Sequence, residues 1–448
     1  MKLTRKPPRR PSASASGLSP FLALAALAAS LSLAACGSSS GNSASSSRSS
    51  SGGEDTLATL TLSSIKPTYA HGGCPALIAR SFGEVASRIY EEAGHGDEVA
   101  QAVGRVKASP TLRSAIASGD SAGADAALRA LLVNQIVRIQ IDRRSRPFAS
   151  AGSGAAVAPV RGSIPHTDAS FVLSTQAASA FASVTRQVTG AHVVLYRARG
   201  QRFAGTVSGP PLARVRRDGP LSYGRSKYET TSIAGTAYPS SSLRIALLVP
   251  AAGLSCPGSA AQARVETLGH VGERIYQEEL HSPYVLATLR HIEADKPFQQ
   301  AVAARDTTAL RAAIVELFAA HIHVVRVRAY AVEPSGAERF LYDLGGPYVL
   351  APVHGDVVDA GKLVGHFSFA IQDDAGYLKL AHLFTGAEVL MRAGEGAGRQ
   401  VMGTLDPGPA SVPDRGAVSY RGRSYEAYSF TGVTFPAGPL RISLLLAQ

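Results

Sequence analysis

The sequence predicts an α+β protein built from two tandem copies of one domain. Three observations predict it. Short motifs recur in the same order: Thr189-Gly190-Ala191-His192-Val193 returns as Thr385-Gly386-Ala387-Glu388-Val389, Tyr223–Glu229 as Tyr420–Glu426, Leu243–Leu248 as Leu440–Leu445, and Arg88-Ile89-Tyr90 as Arg274-Ile275-Tyr276. The shifts run from 186 to 197 residues, too long for a solenoid, and each unit is long enough to bury a core of its own. Apolar residues follow a helical period at the start of each copy and a period of two afterwards.

Each copy opens on helix. Ile78, Phe82, Val85 and Ile89 make one helical stripe, and Val265, Leu268, Gly272 and Ile275 make its match. A second helical stretch follows Pro110 and Pro297, running through Leu128-Arg129 and Leu310-Arg311. The period then becomes two: Val137, Ile139 and Ile141 in the first copy, Val325, Val327 and Ala329 in the second, read as half-buried strands. In the second copy Arg339–Leu344 is the next strand, Gly345-Gly346-Pro347 its turn, and Val364–Ile371 another strand. A short helix follows from Asp374 to Phe384, capped by Asp373 or Asp374 and ended by Gly386. The first copy repeats it with Phe181, Val184 and Val188 inward and Gly190 at its end. Four further strands close the unit, around Val389, Val401, Tyr420–Phe430 and Leu440–Leu446.

Leading helices, an antiparallel sheet and one short helix inserted mid-sheet define the α+β class. The run from the short helix into Thr-Gly-Ala-x-Val, the Gly-Thr at 205–206 and 403–404, and the aromatic strand with Tyr223 and Tyr228, or Tyr420 and Tyr425, resembles the extracytoplasmic Cache and CHASE sensor domains of bacteria, with their PAS-like sheets. The resemblance implies two Cache-like repeats, at 61–252 and 253–448, and a small ligand such as an amino acid, amine or carboxylate. Those families usually precede a membrane helix and a cytoplasmic output module. This sequence shows neither, so a separate membrane signalling partner is implied.

The N-terminal residues address location. Lys2, Arg5, Lys6, Arg9 and Arg10 form a basic start, Leu18–Leu33 a short apolar run, and Leu33-Ala34-Ala35-Cys36-Gly37 the end of a secretory signal over 1–35. This last stretch resembles the lipobox of bacterial lipoproteins, which implies lipidation at Cys36 and anchoring on the outer face of the cell membrane. Residues 36–60, rich in Ser and Gly, read as a flexible tether. Of the net charge of +12, five charges fall in the signal, leaving about +7. The rest are scattered among acids with no basic run, which argues against nucleic acid. Cys74 and Cys256 each precede a proline at the start of a copy. Outside the membrane such thiols are usually paired. A Cys74–Cys256 disulfide would tie the two openings together, and two buried free thiols are the alternative.

No nucleophile elbow, zinc-protease motif, P-loop or CxxC pair is present, so the expectation is a non-enzymatic protein without a cofactor. His321 and His323 have a spacing that can ligate metal, or they are a hydrogen-bonded structural pair. The copies differ informatively. Asp373, Asp374, Tyr377 and Arg392 stand where the first copy has Ala177, Ala178, Phe181 and Tyr196, and Tyr428 stands opposite Thr231. Polar groups on core-like elements need partners. A pocket in the second copy lined by Asp373, Tyr377, Arg392, Tyr420 and Tyr428 would provide them, with Arg392 suited to a carboxylate. Pairing among these residues, or exposure, is the simpler alternative. An envelope scaffold without a ligand and an unrecognised envelope hydrolase are the competing functions.

Overall fold

The computed structural model describes residues 73–448 except 133–134, 255, 322, 348 and 395–397. Cys36, the signal segment and the tether lie outside the described residues.

Helix α1, Gly73–His95, buries the predicted stripe of Ile78, Phe82, Val85 and Ile89. Three shorter helices follow: α2 Asp97–Ala108, α3 Pro110–Ser118 and α4 Ser121–Leu131. The single run expected after Pro110 is two helices because Gly119 adopts φ +73° and Asp120 then caps α4 through the Gly123 amide. Strands β1 Arg138–Arg143, β2 Arg146–Gly152, β3 Ala156–Val157, β4 Val160–Ser163, β5 Ala169–Ser174 and β6 Gln176–Ala177 lead to α5, Ala178–Thr189. Strands β7 His192–Arg197, β8 Arg202–Gly205, β9 Asp218–Tyr223, β10 Ser226–Ala237 and β11 Ser241–Pro250 complete the copy.

The second copy repeats the plan. It has α6 Ala260–His281, α7 Pro283–Ala294, α8 Lys296–Ala304 and α9 Thr307–Ala320, then β12 Arg326–Val332, β13 Glu338–Gly345, β14 Val353–Asp359 and β15 Lys362–Ala370. After α10, Asp374–Thr385, come β16 Glu388–Ala393, β17 Arg399–Gly403, β18 Arg415–Tyr420, β19 Arg423–Val433 and β20 Pro439–Ala447. Here too the run after Pro297 splits, at Arg305 in the left-handed region and Asp306 capping α9. The segment expected as one strand over Tyr420–Phe430 is a hairpin, because Arg421 and Gly422 both take positive φ.

The expectation of one sheet per copy is corrected: each copy has two. In the first, β2-β1-β5-β4 is covered by α2–α4 and buries Ile139, Ile141, Phe171 and Leu173 against Leu112, Ile116 and Leu128. Its counterpart β13-β12-β15-β14 buries Val327, Ala329, Phe367 and Phe369 against Phe298, Val302, Leu310 and Ile314. The other sheets, β6-β3-β10-β11-β7-β8 with β9 on β10, and β17-β16-β20-β19-β18, face the centre of the molecule. Arg138 stacks on Tyr238 at 4.6 Å, and Arg326 on Phe435 at 4.3 Å, joining the two sheets within each copy.

Besides these separate cores, the two copies share a third. Helices α1, α5, α6 and α10 form one layer between the two central sheets, and a single apolar cluster runs from Val85, Val193 and Ile245 to Leu268, Phe384 and Leu444. The recurrent motifs meet here. Arg88 donates to the Phe384 carbonyl at 3.1 Å, at the end of the other copy's short helix, and Arg274 reaches the Val188 carbonyl at 3.5 Å. Gly190 and Gly386, at φ +72° and +67°, end those helices, and a Cβ on either would lie 2.6 Å from the guanidinium. A cation on the last carbonyls complements the helix dipole. The Tyr of each motif pins the sheet beneath it: Tyr90 accepts from the Thr236 amide at 2.6 Å, and Tyr276 from the Val433 amide at 2.8 Å. Cys74 and Cys256 are disulfide-bonded, with Cα atoms 5.8 Å apart, tying the first turn of α1 to the segment before α6.

Candidate functional site

The five residues expected to share a pocket in the second copy do not share one. Strand alternation decides it. Val389 and Met391 face the central core, so Arg392 faces outward with Leu390. Tyr428 pairs with Leu444 and faces inward, while Ala427 and Leu445 face out. Arg392 and Tyr428 therefore lie on opposite faces of one sheet, and the expected common pocket is overturned.

Each polar side chain has an internal partner instead. Arg392 donates to the Pro409 carbonyl, as Tyr196 in the first copy donates to the Pro210 carbonyl at 2.6 Å, so each holds the corresponding outer loop of its own copy. Tyr420 donates to the Pro407 carbonyl of that loop. Asp373 caps α10 through the Gly376 amide. Asp374 accepts from the amides of Val349 (3.0 Å) and Leu350 (2.9 Å), where the first copy uses backbone pairing between β3 and β6. Burial pushes its carboxyl up to about 6, against the lowering effect of those amides. Tyr377 is fully buried, donates to the Gly272 carbonyl at 3.1 Å and meets Tyr276 edge-on; burial raises its phenol. His321 and His323 do not face one another. His321 ends α9 with its ring 4.4 Å from that of His291, and His323 lies against Tyr284. Among the described residues no three His, Cys, Asp or Glu side chains could hold a metal.

Tyr428 leads to a cleft. Its ring lies over Gly269 of α6, which has no Cβ to block it. Its hydroxyl donates to Glu273 at 3.0 Å and meets His270 Nδ1 at 3.0 Å, and the Arg415 guanidinium stacks on its ring at 3.7 Å. Burial raises the phenol, with the Glu273 charge adding to it. His270 belongs to the wall of a 370 Å³ cleft between α1 and α6, closed by the end of α5 and by residues 249–254. Ile78, Phe82, Val249 and Leu254 form its apolar floor. Thr189, Glu266, Thr267, His270 and Arg274 give it polar edges. Arg274 is half-buried, and burial lowers its pKa from the ordinary arginine value. A larger hollow of 650 Å³ lies near Asp414, Arg415 and Arg441, but it is more open and its charges are matched: Arg441 to Asp414 at 2.7 Å, Arg415 to the Ser429 carbonyl at 2.8 Å.

Ile78, Phe82, Thr189, Gly190 and Arg274 stood out in the sequence as stripe or repeat residues but not as site residues, yet a signal exists. Shifting by 186 residues sets Ile78 against Arg264 and His270 against Glu84. Arg264 and Glu84 are ion-paired at 2.8 Å. One side of the junction between the copies thus has an ion pair where the other has an aliphatic chain and an imidazole.

No family model matches the sequence, and no curated protein matches it. Two structures of the periplasmic domain of Vibrio cholerae LuxQ match 40% and 42% of this chain and 98% and 97% of their own, each at 11% identity and a TM-score of 0.25. An extracellular ligand binding receptor from Desulfohalobium retbaense DSM5692 matches over 51% of this chain and 47% of its own, at 10% identity and a TM-score of 0.25.

Proposed function

We propose that the protein binds a small molecule outside the cytoplasm, in the cleft between the two copies, and acts through a membrane partner rather than by catalysis. The observation that supports this is the cleft: its volume is in the range of small-molecule sites, and an apolar floor with few polar groups is their usual lining. No helix among the described residues is long and apolar enough to cross a membrane, and the lipobox-like segment supports attachment through Cys36.

Two experiments test the reading. A panel of small metabolites is screened for thermal shift of the full-length protein. A hundredfold excess over Kd stabilises by about 2.7 kcal/mol. Ala252→Trp, at an exposed rim position of the cleft, removes that shift if binding is there. Turnover of an envelope substrate by the purified protein would instead make it an enzyme. For the anchor, Cys36→Ser leaves the protein unlipidated and out of the membrane fraction; a mature Cys36→Ser protein that still sediments with membranes removes the lipoprotein assignment.

A further inference from the structure

We infer that the junction cleft takes a small monocarboxylate with an apolar tail, its carboxylate on Arg274 and its tail against Ile78, Phe82 and Leu254. The inference rests on the reading of the cleft as a ligand site and adds the class of ligand.

Remaining hydrogen-bond capacity singles out Arg274 among the polar groups of the cleft. The Thr189 and Thr267 hydroxyls donate to the carbonyls of Thr185 (2.6 Å) and Ala263 (2.7 Å), one turn back on their own helices. His270 is engaged by Glu273 at 3.1 Å and by Tyr428. Glu266 accepts from Gln262 at 3.0 Å, and its charge is met by Arg415 at 3.6 Å. Arg274 is different. A guanidinium has five N–H donors. Among the described residues its hydrogen bond is to the Val188 carbonyl, long at 3.5 Å, and no carboxylate oxygen lies within 4 Å, the Glu273 charge acting on it from farther away. Its counterpart Arg88 makes the equivalent bond at 3.1 Å. A half-buried guanidinium with unused donors suits the bidentate geometry of a carboxylate.

Charge and size narrow the class. Among the described residues that line the cleft Arg274 is the one arginine and no lysine joins it, which suits a single negative charge better than a phosphate dianion. The 370 Å³ volume admits a short chain, and burial of that chain on Ile78, Phe82 and Leu254 adds roughly 0.8 kcal/mol per CH₂. The related place beside α1 has the Arg264–Glu84 ion pair instead of an aliphatic floor, so the inference concerns this cleft alone.

The test uses full-length protein titrated calorimetrically with 4-methylpentanoate and phenylacetate, and with the corresponding amides and amines. The carboxylates are expected to bind saturably and at least tenfold more tightly than the amides. Arg274→Gln abolishes this preference, Arg274→Lys keeps part of it, and Arg88→Gln, which removes the matching contact away from the cleft, leaves it intact. Amides or amines binding as well as the acids would overturn the class, as would carboxylate binding unchanged in Arg274→Gln. Failure of every probe to bind would overturn it too. Binding that favours amides yet is lost in Ala252→Trp discards the carboxylate and keeps the cleft. Binding of any class that survives Ala252→Trp discards the cleft itself.

Discussion

Glu279 shows at one residue how the shared core constrains charge. It lies on the buried side of α6, and burial pushes its carboxyl up to about 8, with the charges of Glu278 and Asp373 adding to the effect. A carboxyl raised on folding holds its proton in the native state, so its contribution to stability is whole below about pH 4.5 and is lost as pH rises through about 8. Glu279→Gln is expected to melt above the parent at pH 9 and level with it near pH 4.5. The shift from 4.5 to about 8 sets an upper bound of roughly 5 kcal/mol. An equal gap at both pH values would contradict this. Asp374 makes a second residue-scale case: Asp374→Ala leaves the buried Leu350 amide and the half-buried Val349 amide without an acceptor and is expected to cost about 2 kcal/mol in urea unfolding. The sequence marked Asp374 as unusual because the first copy has Ala178 there. It did not show that the partners were backbone amides 24 and 25 residues away.

At the scale of elements, the paired motifs explain why they recur. Arg88 and Gly386 meet across the two copies, as do Arg274 and Gly190. Gly386→Ala combines a left-handed backbone with a contact against Arg88, and is expected to cost more than 1 kcal/mol. Paired with Arg88→Ala, the cost should be less than additive because the clashing side chain is gone, which a double-mutant cycle measures. Strict additivity would mean that the contact is not made. The helix stripes, the Gly caps and the Asp373 cap were legible because each is a local rule acting within about four residues. The swapped capping was not legible, because Arg88 and Phe384 are 296 residues apart and nothing local records the pairing. The pocket expected from Tyr377, Arg392 and Tyr428 failed for a related reason. Alignment showed that polar groups had been gained, but their acceptors were carbonyls and side chains on other elements.

At the scale of the whole molecule, one apolar cluster and one disulfide bind the copies together. Closing a loop of 182 residues by Cys74–Cys256 stabilises by about 5 kcal/mol on chain entropy. Non-reducing peptide mapping should recover the joined pair, and two alkylatable thiols in the native protein would contradict it. The duplication was plain in the sequence, but the fusion of the copies was not, since Leu268 or Val85 reads as core in either arrangement. The cleft is a product of that fusion, formed by α1 and the end of α5 from one copy and α6 from the other. Ligand binding at this junction is therefore most directly tested by comparing the parent with Ala252→Trp, once a small molecule that stabilises the parent has been found. The parent is expected to show a saturable rise in melting temperature, and Ala252→Trp none, with its unliganded melting temperature unchanged. An equal rise in both proteins would place the ligand elsewhere and contradict it.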